Sequence, residues 1–536
     1  MTDSPVSSDH PPQLLSPNDR PLPLFTVAQL RELEARGAHG LPAHTLMARA
    51  GAASAHYLLE RAAHDGSLAA ERPVWIAAGP GNNGGDALVL AARLRQAGIA
   101  AEVCMPVEVR TDDALWALGE ARAAGVPVFH APPASLDAFG WVVDGLFGIG
   151  LARPLDGVFG ELASRIGLRA NTHGRVLALD VPSGLDSDTG NVVGGGIAVR
   201  ATETVTFLGA KPGLYMTQGR DLAGAVTVAP LALDLPAPAP ADAARLNAPA
   251  LFASKFPARA FASHKGTFGS LAVVGGDTGM CGAPILAARA ALHTGAGKVH
   301  VALIGEGAPP YDPPYPELML HPPGTLAFDA MDALAVGCGM GHGQRATAAL
   351  AKALACDAAL LIDADGLNLM ASDRALADAL AARSVRHAKG GEQGCVLTPH
   401  PLEAARLLGC DIARVQSDRL GAARALTARF GATVVLKGAG TVIASPDGRS
   451  AVNPTGSAAL ATGGTGDVLG GIIGALLAQR LPSYEAALAG VYLHGLAADT
   501  LTADGNGPAG LTAGELAPTV RRLLNRLIYP ARAGAR

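Results

Sequence analysis

Twice along this chain, short apolar runs ending in glycine alternate with helix-patterned segments, and a proline–alanine stretch separates the two series. The first series opens with PVWIAAG (73–79) and continues through AEVCMP, VPVFHA, WVVDGLFG and RVLALDVPSG; TETVTFLG and GAVTVAPLALDL lie near its end. Helical spacing runs through TVAQLRELEARG, residues 42–62 and ALVLAARLRQAG (87–98), which closes on Gly98. Thr26 with Gln29 three residues on forms a capping-box signature. The second series starts at SLAVVGG (270–276), followed by a helix over 283–296, KVHVALI, ALAVGCG, a helix over 345–355, ALLIDADG, CVLTPH and TVVLKGAG. TVIASPDGRSAV reads as a strand pair turned at Pro446–Gly448, and three helices (467–480, 484–504, 512–527) close the chain. Such alternation predicts a mostly parallel sheet with helices on both faces, so the fold class is α/β in both halves.

At 536 residues the chain exceeds one ordinary core. LPAPAPADAARLNAPA (235–250) favours an extended connector, and the boundary falls there. The expected organisation is a disordered tail over 1–23, a domain over 24–235, a linker over 236–250 and a domain over 251–530. A formal charge of −4 implies no basic face, which argues against nucleic acid or an anionic membrane as partner. Cys104, Cys281, Cys338, Cys356, Cys395 and Cys410 form no CxxC pair, which argues against a disulfide framework or zinc site and for a reducing cytosol. The N-terminus has no Lys or Arg before Arg20 and carries prolines in place of an apolar h-region, so a signal peptide is not expected and the location is cytoplasmic. The longest apolar run, after Asp467, stops at Gln479 and is too short to span a bilayer. A homo-oligomer is expected.

The motif TGGTGDVLGG (462–471) places one carboxylate, Asp467, at the mouth of an apolar helix behind a loop of bare amides. A helix start carries free N–H groups and partial positive charge, and glycines let an anion approach them. Beside a phosphate, Asp467 can take a proton from a substrate hydroxyl while the amides hold the developing charge. An isolated GTGD serves equally as a plain N-cap. Its company narrows the choice: KGAGT (437–441), TPHPLEAARLL (398–408), HKGTFGSLAVVGG (264–276), the glycine-rich turn before helix 283–296, and GCGMG (337–341) all fall at strand ends. Ligands of open α/β sheets bind there.

With DADGLN, NPTGS and GGTGDVLGGIIGALLAQ, these motifs make residues 247–530 resemble the ADP-dependent NAD(P)H-hydrate dehydratase family, which has a ribokinase-like fold. The resemblance implies dehydration of the (6S) hydrate of NADH or NADPH, with ADP converted to AMP and phosphate. It puts the hydrate contacts at Ala283, Gly341, His400 and Asp467, and the nucleotide contacts at Lys437, Gly438, Ala439, Gly440, Thr441 and Gly466. Phosphorylating the C6 hydroxyl would make it a good leaving group, with Asp467 as base. Mg²⁺ is expected with the nucleotide, although no carboxylate cage marks it. Asp363 and Asp365 could position the site or serve only as turn residues, and His400 could instead be a strand-end hydrogen-bonding residue. Ser457 stands where the family usually has Asn, and Cys338 and Met340 replace common residues of the glycine cluster.

GPGNNGGD (79–86) repeats the pattern of glycines closed by an Asp, but fits neither GxGxxG nor GxxxxGK[ST]. Asn82 and Asn83, Asp144 in VVDGLFGIGLARPL, and Asp180 and Ser183 in LALDVPSGLDSDTG offer oxygens at three strand ends, which suits a hard monovalent cation, and amides, which suit a pyrophosphate. These motifs, with GAKPGLY, make residues 24–235 resemble the NAD(P)H-hydrate epimerase family, a Rossmann-like domain. The resemblance implies dinucleotide contacts at Asn82, Asn83, Gly84, Gly85, Asp86, Gly148, Ile149, Gly150, Leu151, Ala152, Arg153, Pro154 and Asp180. It implies K⁺ ligands at Asn83, Asp144 and Ser183. Asp180 is the acid/base candidate or a cap of the PSG turn; Lys211 is a lesser acid/base candidate and more readily a structural residue or phosphate contact. Ala87 departs from the family's Gly.

The combined reading is a bifunctional nicotinamide-nucleotide repair enzyme acting on small molecules (the hydrates NADHX and NADPHX, and ADP). Two other classes stay open at this point. The second half could be a kinase for a stable small alcohol, and the first half could bind a dinucleotide without turnover.

Overall fold

The structure, a computed structural model, describes residues 12–17, 19–67, 72–172, 174–233, 243–307, 309–390 and 394–530. It divides into two compact units, the first through Ala244 and the second from Arg245 onward with Asp19–Pro21.

The first unit is built on seven parallel strands in the order Val128–Phe129, Ala101–Cys104, Val74–Ala78, Trp141–Gly145, Arg175–Leu179, Glu203–Phe207, Ala225–Ala229. The central strands are apolar throughout: Val74 to Ala78 and Trp141 to Val143 are buried on both faces, as a strand covered by helices on each side must be. Helices Val27–Ala38, Thr45–Asp65, Asn82–Gln96 and Asp112–Ala123 pack one core, and Gly157–Asn171 contributes to the other. Thr26 and Gln29 form the expected capping box. The tail expected through residue 23 needs correction. Leu15 exchanges backbone hydrogen bonds with Val228 on the edge strand (2.8 and 2.9 Å), so an edge that would otherwise stay unpaired orders this segment.

The second unit centres on the strands Met319–His321, Lys298–Leu303, Ser270–Gly275, Ala333–Val336, Ala359–Ile362, Cys395–Leu397, Thr433–Leu436, Val442–Ala444, Ser450–Val452 and Ala244–Leu246, in that order. All neighbours are parallel except the meander Thr433–Leu436, Val442–Ala444, Ser450–Val452, whose last pair is the one expected around Pro446–Gly448. The linker expected over 236–250 is also corrected. Residues 236–242 lie outside the described residues, but Arg245 and Leu246 pair in parallel with Ala451 and Val452, where apolar Leu246 finds a buried place.

The helix expected over 467–480 runs Thr465–Ala478, so the TGD of GGTGD is its first turn, and it is buried along almost its whole length. Its glycines serve packing: a Cβ on Gly471 would lie 1.9 Å from the Ala287 carbonyl oxygen of helix Gly282–Thr294. Only a residue without a side chain lets the two backbones meet there. The loop's anion-binding look and the helix's close seat thus come from different glycines in one run. No helix among the described residues is long and apolar enough to cross a membrane.

Candidate active sites

In the first unit the chain leaves strand Val74–Ala78 toward Ala101–Cys104 and later returns on its other side as Trp141–Gly145. A crevice opens past the carboxyl ends of strands at such a reversal. The helix expected to begin at Ala87 in fact begins at Asn82, so Asn82–Asp86 form its first turn. A Cβ on Gly84 would fall 1.9 Å from the Gly79 carbonyl oxygen. The bare residue lets the helix wind directly off the strand.

Three elements meet in the crevice. Ser183 Oγ donates to Asp144 Oδ1 (2.6 Å), the Ser183 amide donates to Asp144 Oδ2 (2.8 Å), and the Leu146 amide donates to Oδ1 (3.2 Å). Asp144 is fully buried, and burial pushes its carboxyl up to about 6 against those three donors. Asn83 is also buried, and neither its side-chain oxygen nor its nitrogen has a partner among the described residues. Alongside, Asp180 holds a left-handed backbone (φ +65°) that a non-glycine residue adopts only under constraint. The constraint is visible: Lys211 Nζ donates to its Oδ1 (2.6 Å) and the Ile149 amide to its Oδ2 (3.2 Å). Lys211 is 1 % exposed and spends its other two protons on Thr206 Oγ1 and the Phe207 carbonyl, both at 2.7 Å. Burial depresses it, and Asp180 opposes that. A cavity of about 390 Å³ has Asn82, Asn83, Asp86, Gly148 to Leu151, Asp180 and Lys211 in its walls. Gly84, Gly85, Ala152, Arg153 and Pro154 are not among its lining residues.

In the second unit the reversal lies at strand Ser270–Gly275, flanked by Lys298–Leu303 and Ala333–Val336. The Asp277 amide reaches the Gly339 carbonyl (2.7 Å), and a Cβ at Gly339 would stand 3.3 Å from that of Ala283. The Gly341 amide donates to Asp365 Oδ2 (2.8 Å). Asp363 caps helix Ala364–Ser372 and takes Lys437 Nζ at 2.6 Å on its Oδ1. Lys437 also lies 4.0 Å from Glu403. Glu403 closes a capping box with His400: the His400 amide donates to its Oε2 (2.7 Å), and the Leu402 amide donates to His400 Nδ1 (3.1 Å). The start of helix Thr465–Ala478 sits against this group, since a Cβ on Gly466 would be 3.9 Å from Lys437 Nζ.

Asp467 is in the first turn of that helix. Burial pushes its carboxyl up to about 6; Asp363 and Asp365 add to the rise, and Lys437 counters it. Burial likewise lifts Glu403 to about 7, with Lys437 opposing. Burial and the Lys437 charge hold His400 below the ordinary imidazole range. The Gly438–Thr441 turn leaves strand Thr433–Leu436 over Arg419, whose guanidinium donates to the Leu436 and Lys437 carbonyls. Gly438 (φ +137°) and Gly440 (φ +68°) both need glycine's conformational range.

Residues 271–522 match the family model described as NAD(P)H-hydrate dehydratase, and residues 43–213 match the model of the YjeF-related protein N-terminus. The ADP-dependent (S)-NAD(P)H-hydrate dehydratase of Neisseria meningitidis is 49 % identical over 280 residues, 52 % of this chain and 92 % of that one. The bifunctional NAD(P)H-hydrate repair enzyme of Coxiella burnetii is 36 % identical over 513 residues, covering 94 % of this chain and 99 % of its own. That of Escherichia coli is 37 % identical over 512 residues, 92 % of each chain.

The chain belongs to the bifunctional NAD(P)H-hydrate repair enzyme family. Its first half is the family's Rossmann-like part and its second half the ribokinase-like part. In this repair enzyme two features of the sites had little weight in the motifs. Lys211 is no free phosphate ligand, because all three of its protons are committed inside the unit. The signal for it was compositional: it is the only lysine in residues 1–254, a stretch that otherwise draws its positive charge from arginine. Glu403 is not among the expected site residues, although its spacing three residues after His400 is that of a capping box.

Proposed function

We propose that the chain interconverts the R and S hydrates of NAD(P)H in its first half and dehydrates the S form with ADP in its second, giving NAD(P)H, AMP and phosphate. The observation that carries the dehydratase reading is Asp467: a carboxylate lifted to about 6 at a helix start, among bare amides and beside the Lys437–Asp363 pair. A base must be ionised yet basic at working pH, and this value meets both needs. Asp467 takes the proton of the C6 hydroxyl as that oxygen attacks the terminal phosphoryl of ADP. The amides of the Gly464–Gly466 turn hold the charge on the transferring group; the ring nitrogen then expels phosphate to leave an N1=C6 iminium, and the departing phosphate takes a C5 proton to give the C5=C6 bond of NAD(P)H. Asp363 fixes Lys437 toward the phosphates, and the Gly438–Thr441 turn supplies backbone for the nucleotide. His400, Gly341 and Ala283 wall the hydrate side.

Among the described residues no group of three or more His, Cys, Asp and Glu could hold a metal. Asp363 is committed to Lys437 and Asp365 to the Gly341 amide. Mg²⁺ would enter with the nucleotide's phosphates. K⁺ is different. The orphaned Asn83 carbonyl, the buried Asp144 carboxylate without a cationic partner and the Ser183 hydroxyl make a donor set suited to it. When bound, K⁺ would offset the Asp144 charge and that of a substrate pyrophosphate. We expect K⁺, compared with tetramethylammonium, to raise the melting temperature of the first transition, since a ligand of the native state stabilises it by mass action. Asp144→Ala removes that rise and slows epimer exchange; thermal scans and exchange rates check both.

The nucleotide turn gives a second expectation. Gly438→Val weakens ADP binding about tenfold or more, because φ +137° is closed to valine and its Cβ would stand 3.0 Å from the Arg419 guanidinium. Calorimetric titration with ADP reads it, and unchanged affinity would move the nucleotide elsewhere.

The whole reading is tested by giving the protein both hydrate epimers with ADP and K⁺. Consumption of both epimers with full return of reduced-cofactor absorbance is expected. Fast loss of the S epimer with the R epimer lost only at the spontaneous exchange rate removes the epimerase. ADP use with a stable phosphorylated product makes the second half a kinase.

A further inference from the structure

The cavity of the first unit holds a second carboxyl that its hydrogen-bond pattern sets apart from Asp180. Asp86 ends the first turn of helix Asn82–Gln96, is 9 % exposed and lines the same cavity. Asp180 is held by donors on both oxygens, with the Lys211 ammonium on one and the Ile149 amide on the other. Asp86 has no hydrogen bond or ion pair among the described residues. The charged groups that line the cavity around it are Asp180 and Lys211 from the strand ends, Glu34 and Arg31 from helix Val27–Ala38, and Asp113 from helix Asp112–Ala123. Asp113 is paired with His44 at 2.5 Å.

We propose that Asp86 is the proton donor of the epimer exchange, acting with Asp180 as base from another wall of the same cavity. This rests on the epimerase reading of the first half. Burial, followed by the negative charges of Asp180, Glu34 and Asp113, keeps the Asp86 carboxyl well above the usual carboxylate range, so it enters the reaction neutral. A neutral carboxyl facing one held by a cation in the same cavity supplies a donor and an acceptor of protons.

The step balances without a co-reactant. Asp180 takes the proton of the C6 hydroxyl, the O–H pair becomes the C6 carbonyl, and the C6–N1 bond breaks with its electrons going to N1. Asp86 gives N1 its proton. Rotation about C5–C6 turns the other face of the aldehyde toward N1. N1 attacks, returning its proton to Asp86, and the oxygen recovers its own from Asp180. Both carboxyls end as they began, with C6 inverted.

The test follows epimer exchange in the full chain without ADP, from one pure epimer, in wild type, Asp86→Asn and Asp86→Glu. Asp86→Asn should lower kcat by roughly 10²-fold with KM little changed, because an amide of the same shape cannot donate the proton. Asp86→Glu should recover part of that loss. The wild-type rate should fall at alkaline pH as the acid ionises, and this limb should be missing from the residual rate of Asp86→Asn. A residue that only holds the fold would change neither the limb nor the split between kcat and KM. Asp86→Asn with wild-type kcat overturns the proposal, as does an equal loss in both variants carried by KM. If wild type itself gives only the spontaneous rate, the epimerase reading falls and takes this one with it. An active wild type with an equally active Asp86→Asn removes this one alone.

Discussion

Asp467→Asn loses ADP-dependent dehydration by roughly 10²-fold or more, the range expected when a general base is removed, and keeps epimer exchange. The variant should fold. Asp467 makes no hydrogen bond or ion pair among the described residues, and burial already strains its charge, so a neutral isostere costs the helix start little. ADP affinity should stay close to wild type, because the amides of the turn and Lys437 are unchanged. In wild type the rate should rise with pH through about 6 as Asp467 ionises, and the small residual rate of the variant should not. Stopped-flow absorbance of reduced cofactor over a pH series reads both effects. Near-normal dehydration by a folded Asp467→Asn protein would remove the carboxylate from the mechanism.

Asp180→Asn stops epimer exchange and leaves dehydration of the S hydrate intact. The amide keeps the shape and can still accept from the Ile149 amide, but it cannot take a proton. Asp180→Ala goes further. It strands the Lys211 ammonium, 1 % exposed, with only Thr206 and the Phe207 carbonyl as acceptors. Removing one partner of a buried pair costs about 3–5 kcal/mol, so the first unit should melt earlier in Asp180→Ala than in Asp180→Asn. Lys211→Met with Asp180→Asn should recover part of that loss, since no charge is then left unpaired. Exchange is measured as the chromatographic ratio of R to S hydrate over time, less the spontaneous rate. Exchange at the wild-type rate in folded Asp180→Asn would make Asp180 a strand-end cap and nothing more.

The order of strands and helices was written in the sequence because burial on both faces turns parallel strands into short uniform apolar runs, and crossover helices carry a different period. PVWIAAG, WVVDGLFG, SLAVVGG and TVVLKGAG could be placed for that reason, and the strand pair turned at Pro446–Gly448 for its turn residues. GPGNNGGD and GGTGDVLGG announced their chemistry because close backbone approach demands glycine in a local pattern. What the sequence could not decide was which distant groups meet. The helix start at Asn82 depends on Gly84 lying on Gly79. The hydrogen bonding of Asp180 depends on a lysine 31 positions away in the chain, and the rise of the Asp467 carboxyl on burial beside Asp363 and Lys437 from two other strand ends. The difference between Asp86 and Asp180 is wholly tertiary. Both are Asp after glycine or an apolar strand, and only the folded cavity gives one a cation and two amides and leaves the other alone. Burial and charge pairing are properties of neighbours in space, and a linear pattern does not carry them.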